Sequence, residues 1–374
     1  MQQPGLAIAG NLRQQIAEAA NEIDSERRLP DRLVASLQQA GAFRSLIPES
    51  LGGLALELPD FLDTVQSLAE ADASTAWCVT QAAVIATSSV WLAPDIARQI
   101  WQDPAAATAN GPPGECVATP EGDGYRLTGH WGFSSGCQHA SWMLGTARIA
   151  DSKRWLMAFF PKGEASFLDN WQVQGLRGTG SFEFSVQDLF VDKRWVADMT
   201  QPPNHADELY KIPIGLTFAV SFASVALGVA RAGLDVVLAL AANKVPGYTK
   251  QALKDDPLVH VQVGQAEARW RAARAFLHAT VEEIWRKLPH QPRVTEEQRI
   301  ALRMAGTHVI GEAAAALDIG YTIAGSSGIY HDNPLHRRFQ DMNVITQHVQ
   351  GRPRHYGYVG RYLLGHPFQP GPLN

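Results

Sequence analysis

Trp131-Gly132-Phe133-Ser134-Ser135-Gly136-Cys137-Gln138-His139-Ala140-Ser141-Trp142 is the densest polar stretch of this chain, and its neighbours on both sides are patterned like strands. Two hydroxyls follow an aromatic ring and precede a glycine, which lets backbone approach a ligand closely. That combination suits a flat heteroaromatic ligand. It also suits a strand end and turn whose serines satisfy backbone groups, and composition leaves both readings open. Around the stretch lie Tyr125-Arg126-Leu127-Thr128, Trp142 to Ile149, Trp155 to Phe160 and Phe182 to Val191, separated by turn signals such as Glu121-Gly122-Asp123-Gly124. From about Thr108 to Val196 this reads as a small β-barrel or sandwich.

On either side the period changes to that of helices. Upstream, Pro30-Asp31 precedes Leu33, Val34 and Leu37, and Gly41 follows them, the pattern of a helix start and stop. Pro59-Asp60 and Pro94-Asp95 open two more helices. Downstream of Pro202-Pro203, the segments Leu216 to Ala242, Pro257 to Leu288 and Thr295 to Ala324 build a helical bundle. Phe218 to Ala230 is apolar nearly all round, so burial on most faces is expected, against the chain itself or another subunit. The expected fold is α+β and multidomain: an N-terminal helical domain at 1–106, a central β domain at 107–200 and a C-terminal four-helix bundle at 201–374.

The chain has 374 residues, 45% hydrophobic and 18% charged, with a net charge of −5. A polyanion partner draws on concentrated Lys and Arg, so nucleic acid is not an expected ligand. Cys78, Cys116 and Cys137 are too scattered for a disulfide framework or a zinc site, which fits a reducing, cytoplasmic compartment. No secretory leader is read at the N-terminus and no apolar run reaches membrane-spanning length, so no membrane partner is expected.

Several chemistries are absent from the sequence. Gly178-Thr179-Gly180 is followed by Ser181 and Phe182 and opens no nucleotide-binding helix. There is no P-loop, no HExxH and no Gly-x-Ser-x-Gly elbow. His331 and His336 would lie about 140° apart on a helix, and Gly351 and Pro353 interrupt the segment between His348 and His355, so no metal site is expected. A second polar stretch runs from Gly325-Ser326-Ser327 to His348. In it Asp341 is spaced to pair with Arg337 or Arg338, and His348 follows two helical turns later as a usable acid, base or hydrogen-bond donor.

Taken together, Phe43-Arg44-Ser45-Leu46-Ile47-Pro48 with Gly52-Gly53, Ala71 to Trp77, Gly129 to Ala140, Gly175 to Ser181 and Arg338 to His348 resemble the acyl-CoA dehydrogenase superfamily over nearly the whole chain. Within it they look most like the flavin-dependent aromatic hydroxylases of two-component monooxygenases. Many acyl-CoA dehydrogenases place a catalytic Glu about eight positions after the Arg-Asp pair, where this chain has His348-Val349. Ala241 to Lys250 offers no carboxylate either, and Lys244-Val245-Pro246-Gly247-Tyr248 replaces the family's usual Arg and Phe-Gly.

The resemblance implies His348 as the residue beside the substrate and Ser135 as the hydroxyl that approaches flavin N5, both catalytic. It implies Asn110, Phe133, Ser134, Ser135, Arg177, Thr179, Gly325, Ser326 and Ser327 as flavin contacts, and Trp77, Gln81 and His348 as substrate contacts. The implied reaction uses reduced flavin, FADH2 or FMNH2, and O2 through a C4a-hydroperoxyflavin to hydroxylate a phenolic or indole-like substrate. Electrons would come from a separate NAD(P)H-dependent flavin reductase, and the assembly would be a homotetramer. Two other readings stay open at this point: a flavin oxidoreductase of the acyl-CoA dehydrogenase kind, and a catalytically silent relative with a binding role.

Overall fold

The computed structural model describes residues 4–247 and 249–371; Tyr248 lies outside the described residues. Five helices come first: α1 (Pro4–Glu26), α2 (Asp31–Gln39), α3 (Leu58–Ala71), α4 (Ala73–Ala86) and α5 (Pro94–Trp101). Eight strands follow: β1 (Thr108–Asn110), β2 (Pro113–Glu121), β3 (Gly124–Ser134), β4 (Trp142–Ile149), β5 (Trp155–Pro161), β6 (Ser166–Leu168), β7 (Phe182–Asp192) and β8 (Val196–Ala197). The chain closes with α6 (Ile214–Asn243), α7 (Pro257–Lys287), α8 (Glu296–Ala324), α9 (Pro334–Gln347) and α10 (His355–Leu363). The helical, then β, then helical order is the one expected.

The helix boundaries follow local chemistry. Asp31 sits in the first turn of α2, Leu33, Val34 and Leu37 are its buried face, and Gly41 leaves the helix in the left-handed region. Asp256 caps α7 through the N–H of Leu258 with Pro257 behind it, and Asn333 and Pro334 do the same for α9. Thr295 and Gln298 form a reciprocal capping box on α8.

The residues pack as two compact units, each assembled from separated pieces of chain. The first comprises Met1–Phe61, Trp77–Gln172 and Arg177–Ile214. Its sheet has the order β6-β7-β3-β2-β4-β5-β8, with β1 beside β4. The β1–β4 and β2–β4 pairs are parallel and the others antiparallel, so the β portion is one mixed sheet. Gly122 and Asp123 form the two-residue hairpin between β2 and β3, with Gly122 at φ +54°. The core on one sheet face is built from Leu127, Trp131, Met143, Ala147, Phe160 and Phe184, and Trp131 stacks on Phe184 at 4.9 Å.

The second unit comprises Leu62–Ala76, Val173–Leu176 and Gly215–Asn374. Helix α6 is buried at every position from Ala219 to Ala230. Gly228 has no side chain because a Cβ there would sit 2.2 Å from the carbonyl of Gln66. Trp270 of α7 donates its indole N–H to the Leu227 carbonyl at 2.9 Å. By length and apolar composition, α6 is a helix that could cross a membrane, which corrects the expectation that no segment reaches that threshold. Its burial within the chain accounts for that composition without a bilayer or a second copy.

Candidate active site

The irregular end of β3 builds the first cluster. Pairing with β7 shifts once between Leu127 and Gly129, runs regularly from Gly129–Val186 to Trp131–Phe184 and resumes at Ser134–Phe182, so Gly132 and Phe133 form a second irregularity, a bulge. A bulge bends the strand and re-aims its side chains. Phe133 sits at φ +52°, a strained value for a residue with a side chain, and its ring is 69% exposed, edge-on to Trp171 at 6.0 Å. Ser134 is turned inward and fully buried, and its hydroxyl has no hydrogen-bond partner. A buried hydroxyl without a protein partner is one that a water or a ligand atom can satisfy.

Ser135 is buried in a chain of hydroxyls. Trp77, on α4, donates its indole N–H to Ser135 Oγ at 3.1 Å. Ser135 Oγ lies 2.7 Å from Ser181 Oγ, which lies 2.6 Å from Thr179 Oγ1. The Thr179 carbonyl accepts the N–H of Gly136 at 2.9 Å, which ties the Gly175-to-Ser181 motif to the Ser-Ser-Gly turn. Gln81 Nε2 donates to Asn110 Oδ1 at 2.5 Å, so a residue expected to meet substrate and one expected to meet flavin form a single amide pair. Arg177 donates its Nε–H to the Asp24 carbonyl on α1 at 3.2 Å. His139 stacks on Phe43 at 5.0 Å, and burial, then the charge of Lys162, pushes it down to about 4.

The second cluster belongs to the helical unit. His348 caps the end of α9, with the ring of Phe222 edge-on at 4.7 Å. Burial, with a smaller contribution from Arg352, pushes its imidazole down to about 4, so it is neutral at pH 7. Its Nδ1 accepts the backbone N–H of Gln350 at 3.4 Å, which leaves the imidazole hydrogen on Nε2. Gln350 is held in turn by α8: its side-chain oxygen accepts from Arg303, and its carbonyl accepts from Thr307 Oγ1 at 3.3 Å.

Asp341 and Arg338 serve the backbone. Asp341 accepts the N–H of Leu176 at 2.6 Å, and burial followed by Asp72 pushes its carboxyl up to about 7. Arg338 donates to the carbonyls of Ala69, Glu70 and Ala71. Gly325, Ser326 and Ser327 form a short turn after α8, with Lys244 donating to the Ala324 carbonyl at 2.6 Å and Asn333 to the Ser327 carbonyl at 2.7 Å. They precede α9, whose cap Asn333 is tied to Ser327, whereas His348 lies at the far end of that 14-residue helix, itself about 21 Å long. Sequence reasoning assigned no role to Ser181, Gln350, Arg303 or Phe222. Of these, Ser181 alone carried a signal, as the last residue of a quoted motif. Among the described residues no group of three or more His, Cys, Asp or Glu is arranged to hold a metal ion.

Two family models match the chain: acyl-CoA dehydrogenase, N-terminal domain, over residues 7–96, and acyl-CoA dehydrogenase, C-terminal domain, over residues 220–353. Indole-3-acetate monooxygenase of Pseudomonas putida is 30% identical, over 94% of this chain and 91% of that protein. The flavin-dependent monooxygenase oxygenase subunit HsaA of Rhodococcus jostii is 27% identical, over 94% of this chain and 96% of its own. The crystal structure of 3-HSA hydroxylase from Rhodococcus sp. RHA1 superposes with a TM-score of 0.92 at 25% identity, covering 99% of this chain and 98% of that one.

Proposed function

This chain belongs to the acyl-CoA dehydrogenase superfamily, alongside oxygenase subunits of flavin-dependent monooxygenases, and from that premise we propose that it hydroxylates an electron-rich aromatic substrate with reduced flavin and O2. The observation that carries this reading is His348: a neutral imidazole where a dehydrogenase of this family keeps a carboxylate base, in a stretch from Met342 to Pro353 without Asp or Glu. The carboxylate that in a dehydrogenase withdraws the α-proton of a thioester has no counterpart in that stretch.

The residues of the β unit fit a flavin. The partnerless hydroxyl of Ser134 offers a hydrogen bond, Ser135 is held by Trp77 and Ser181, and the exposed Phe133 ring offers an apolar face to a planar group. Reduced flavin, when bound, supplies the activation of O2. We assign Ser134 and Ser135 to its polar edge, Phe133 to its ring system, and the Gln81–Asn110 pair to a group that presents a donor beside an acceptor. Trp77 keeps the Ser135 hydroxyl in place. The bulge holds Phe133 and the two serines in that order, so their positions are set before any ligand arrives.

His348 acts on the aromatic substrate. With Nδ1 engaged by Gln350, Nε2–H donates to a phenolic oxygen and favours its deprotonated form, whose ring is the richer in electrons and the better nucleophile towards oxygen. Of the roles expected of His348, acid, base or hydrogen-bond donor, this tautomer favours the donor. The indole acid named for the Pseudomonas putida relative favours a bicyclic ring as the substrate class, and the p-hydroxyphenylacetate named for an Acinetobacter baumannii relative favours a phenolic one. The proposal includes a separate flavin reductase, a homotetrameric assembly and a cytoplasmic location, with FAD and FMN both admissible as the flavin.

The test is incorporation of 18O2. Product should carry one 18O atom only when flavin, NAD(P)H and a separate reductase are all supplied. Bleaching of bound flavin by an acyl-CoA in the absence of a reductase would replace this reading with a dehydrogenase.

A further inference from the structure

Two-electron reduction reverses the hydrogen-bonding character of a flavin ring nitrogen, from a bare acceptor to an N–H donor. A protein hydroxyl beside that nitrogen must then reverse its own. A serine hydroxyl has one proton and two acceptor positions. An indole N–H only donates, so Trp77 occupies one acceptor position of Ser135 whatever the ligand does. One proton and one lone pair remain, to be divided between Ser181 and the ligand. The Ser135–Ser181 bond at 2.7 Å accommodates either donor, and so does the Ser181–Thr179 bond at 2.6 Å. Ser135, Ser181 and Thr179 are 5%, 3% and 2% exposed, so water does not take over either role.

Resting on the flavin reading above, we propose that the Ser135–Ser181–Thr179 hydroxyls form a reversible relay, clamped by Trp77, that fits Ser135 to both oxidation states of the flavin. With oxidised flavin, Ser181 donates to Ser135 and Ser135 donates to the bare ring nitrogen. With reduced flavin, Ser135 accepts from the ring N–H and donates to Ser181. Only the hydroxyls rotate; each proton stays on its own oxygen. Ser181 is thus a positioning residue, acting through Ser135.

The two directions respond unequally to the loss of Ser181. Facing a bare nitrogen, Ser135 is left with an unused lone pair, which proteins tolerate. Facing an N–H, it is left with a buried proton that has no acceptor, which they rarely do. Removing Ser181 therefore weakens reduced flavin more than oxidised flavin. Removing the Trp77 N–H takes the same bond from both states.

The experiment is equilibrium titration of the full-length protein with FAD and FMN, oxidised in air and reduced under anaerobic conditions, comparing the ratio of the two dissociation constants. Ser181→Ala should lower the preference for reduced flavin by roughly tenfold, the size expected from a buried donor left unmet. Ser181→Thr should restore the ratio, and Trp77→Phe should weaken both states while leaving it unchanged. If Ser181→Ala folds poorly, Ser181→Cys, a weak hydrogen-bonding partner, carries the same expectation. A wild-type ratio in Ser181→Ala and Ser181→Cys, or a fall in the ratio on Trp77→Phe as large as that on Ser181→Ala, overturns the relay alone. A wild-type protein that binds neither flavin state overturns the flavin reading and the relay with it.

Discussion

Gln350 donates its backbone N–H to Nδ1 of His348 at 3.4 Å, so a residue two positions further along the chain selects the imidazole tautomer. Arg303 and Thr307 of α8 hold Gln350 itself. The ring nitrogen of His348 that carries the hydrogen is thereby set with the help of a neighbouring helix. A histidine arranged this way is a fixed donor, and its substitution has a definite consequence.

His348→Ala should lower hydroxylated product by roughly tenfold to a hundredfold, the range for a hydrogen bond to a charged group such as a phenolate, while leaving reduced-flavin affinity within a factor of about two. Single-turnover product yield and flavin titration measure the two quantities separately. Unchanged hydroxylation would remove His348 from the mechanism.

The low pKa of His348 makes stability depend on pH. In the unfolded chain an imidazole titrates near 6.5, whereas in the fold burial pushes His348 down to about 4. Between those values the unfolded state binds more protons, so stability rises with pH and is lost as pH falls from about 6.5 towards about 4. With a discount for its partial exposure, we expect His348 to account for about 1 kcal/mol of the loss between roughly pH 7 and 5. Urea unfolding at both pH values should show a smaller loss for His348→Gln than for wild type. A larger loss would contradict the sign. His139, pushed down to about 4, should act in the same direction.

Ser135→Ala removes the hydroxyl that Trp77 and Ser181 hold. The share of NAD(P)H diverted to hydrogen peroxide should rise severalfold, because a site that no longer holds its cofactor edge protects reactive species less well from water. Peroxide release per NAD(P)H consumed is the measurement, and an unaltered coupling ratio would refute the role given to Ser135.

Gly228→Ala tests the packing of the helical unit. The added Cβ would lie 2.2 Å from the Gln66 carbonyl and 2.7 Å from the Ala69 Cβ, so α6 and α3 must separate. Overpacking of this kind costs about 1–3 kcal/mol, enough to outweigh the roughly 1 kcal/mol by which alanine favours helix over glycine. Denaturant midpoints should fall; a stabilised variant would mean that α6 packs differently.

The order of helical, β and helical segments was readable along the chain, because each boundary depends on residues a few positions apart. Asp31 before Leu33, Val34 and Leu37, and Thr295 three residues before Gln298, are local signals, and the structure uses both. Ser135 and His348 were reachable from motifs that resemble a family. Helix α6 shows the limit of composition: its apolar run suits a bilayer and a protein core equally, and its packing on Gln66 and Leu227's partner Trp270 distinguishes them.

Sequence by itself determined the helices, the strand-rich centre, the family and the two residues most exposed to chemical suspicion. Tertiary structure alone decided what those residues can do. The Phe133 bulge depends on pairing with β7, Ser135 meets partners 58 and 46 positions away, and the tautomer of His348 depends on helix α8 through Gln350. Capping and periodicity act between neighbours in the chain, whereas a hydrogen bond between distant segments is specified only once burial has brought them within about 3 Å and excluded the water that would otherwise replace either partner.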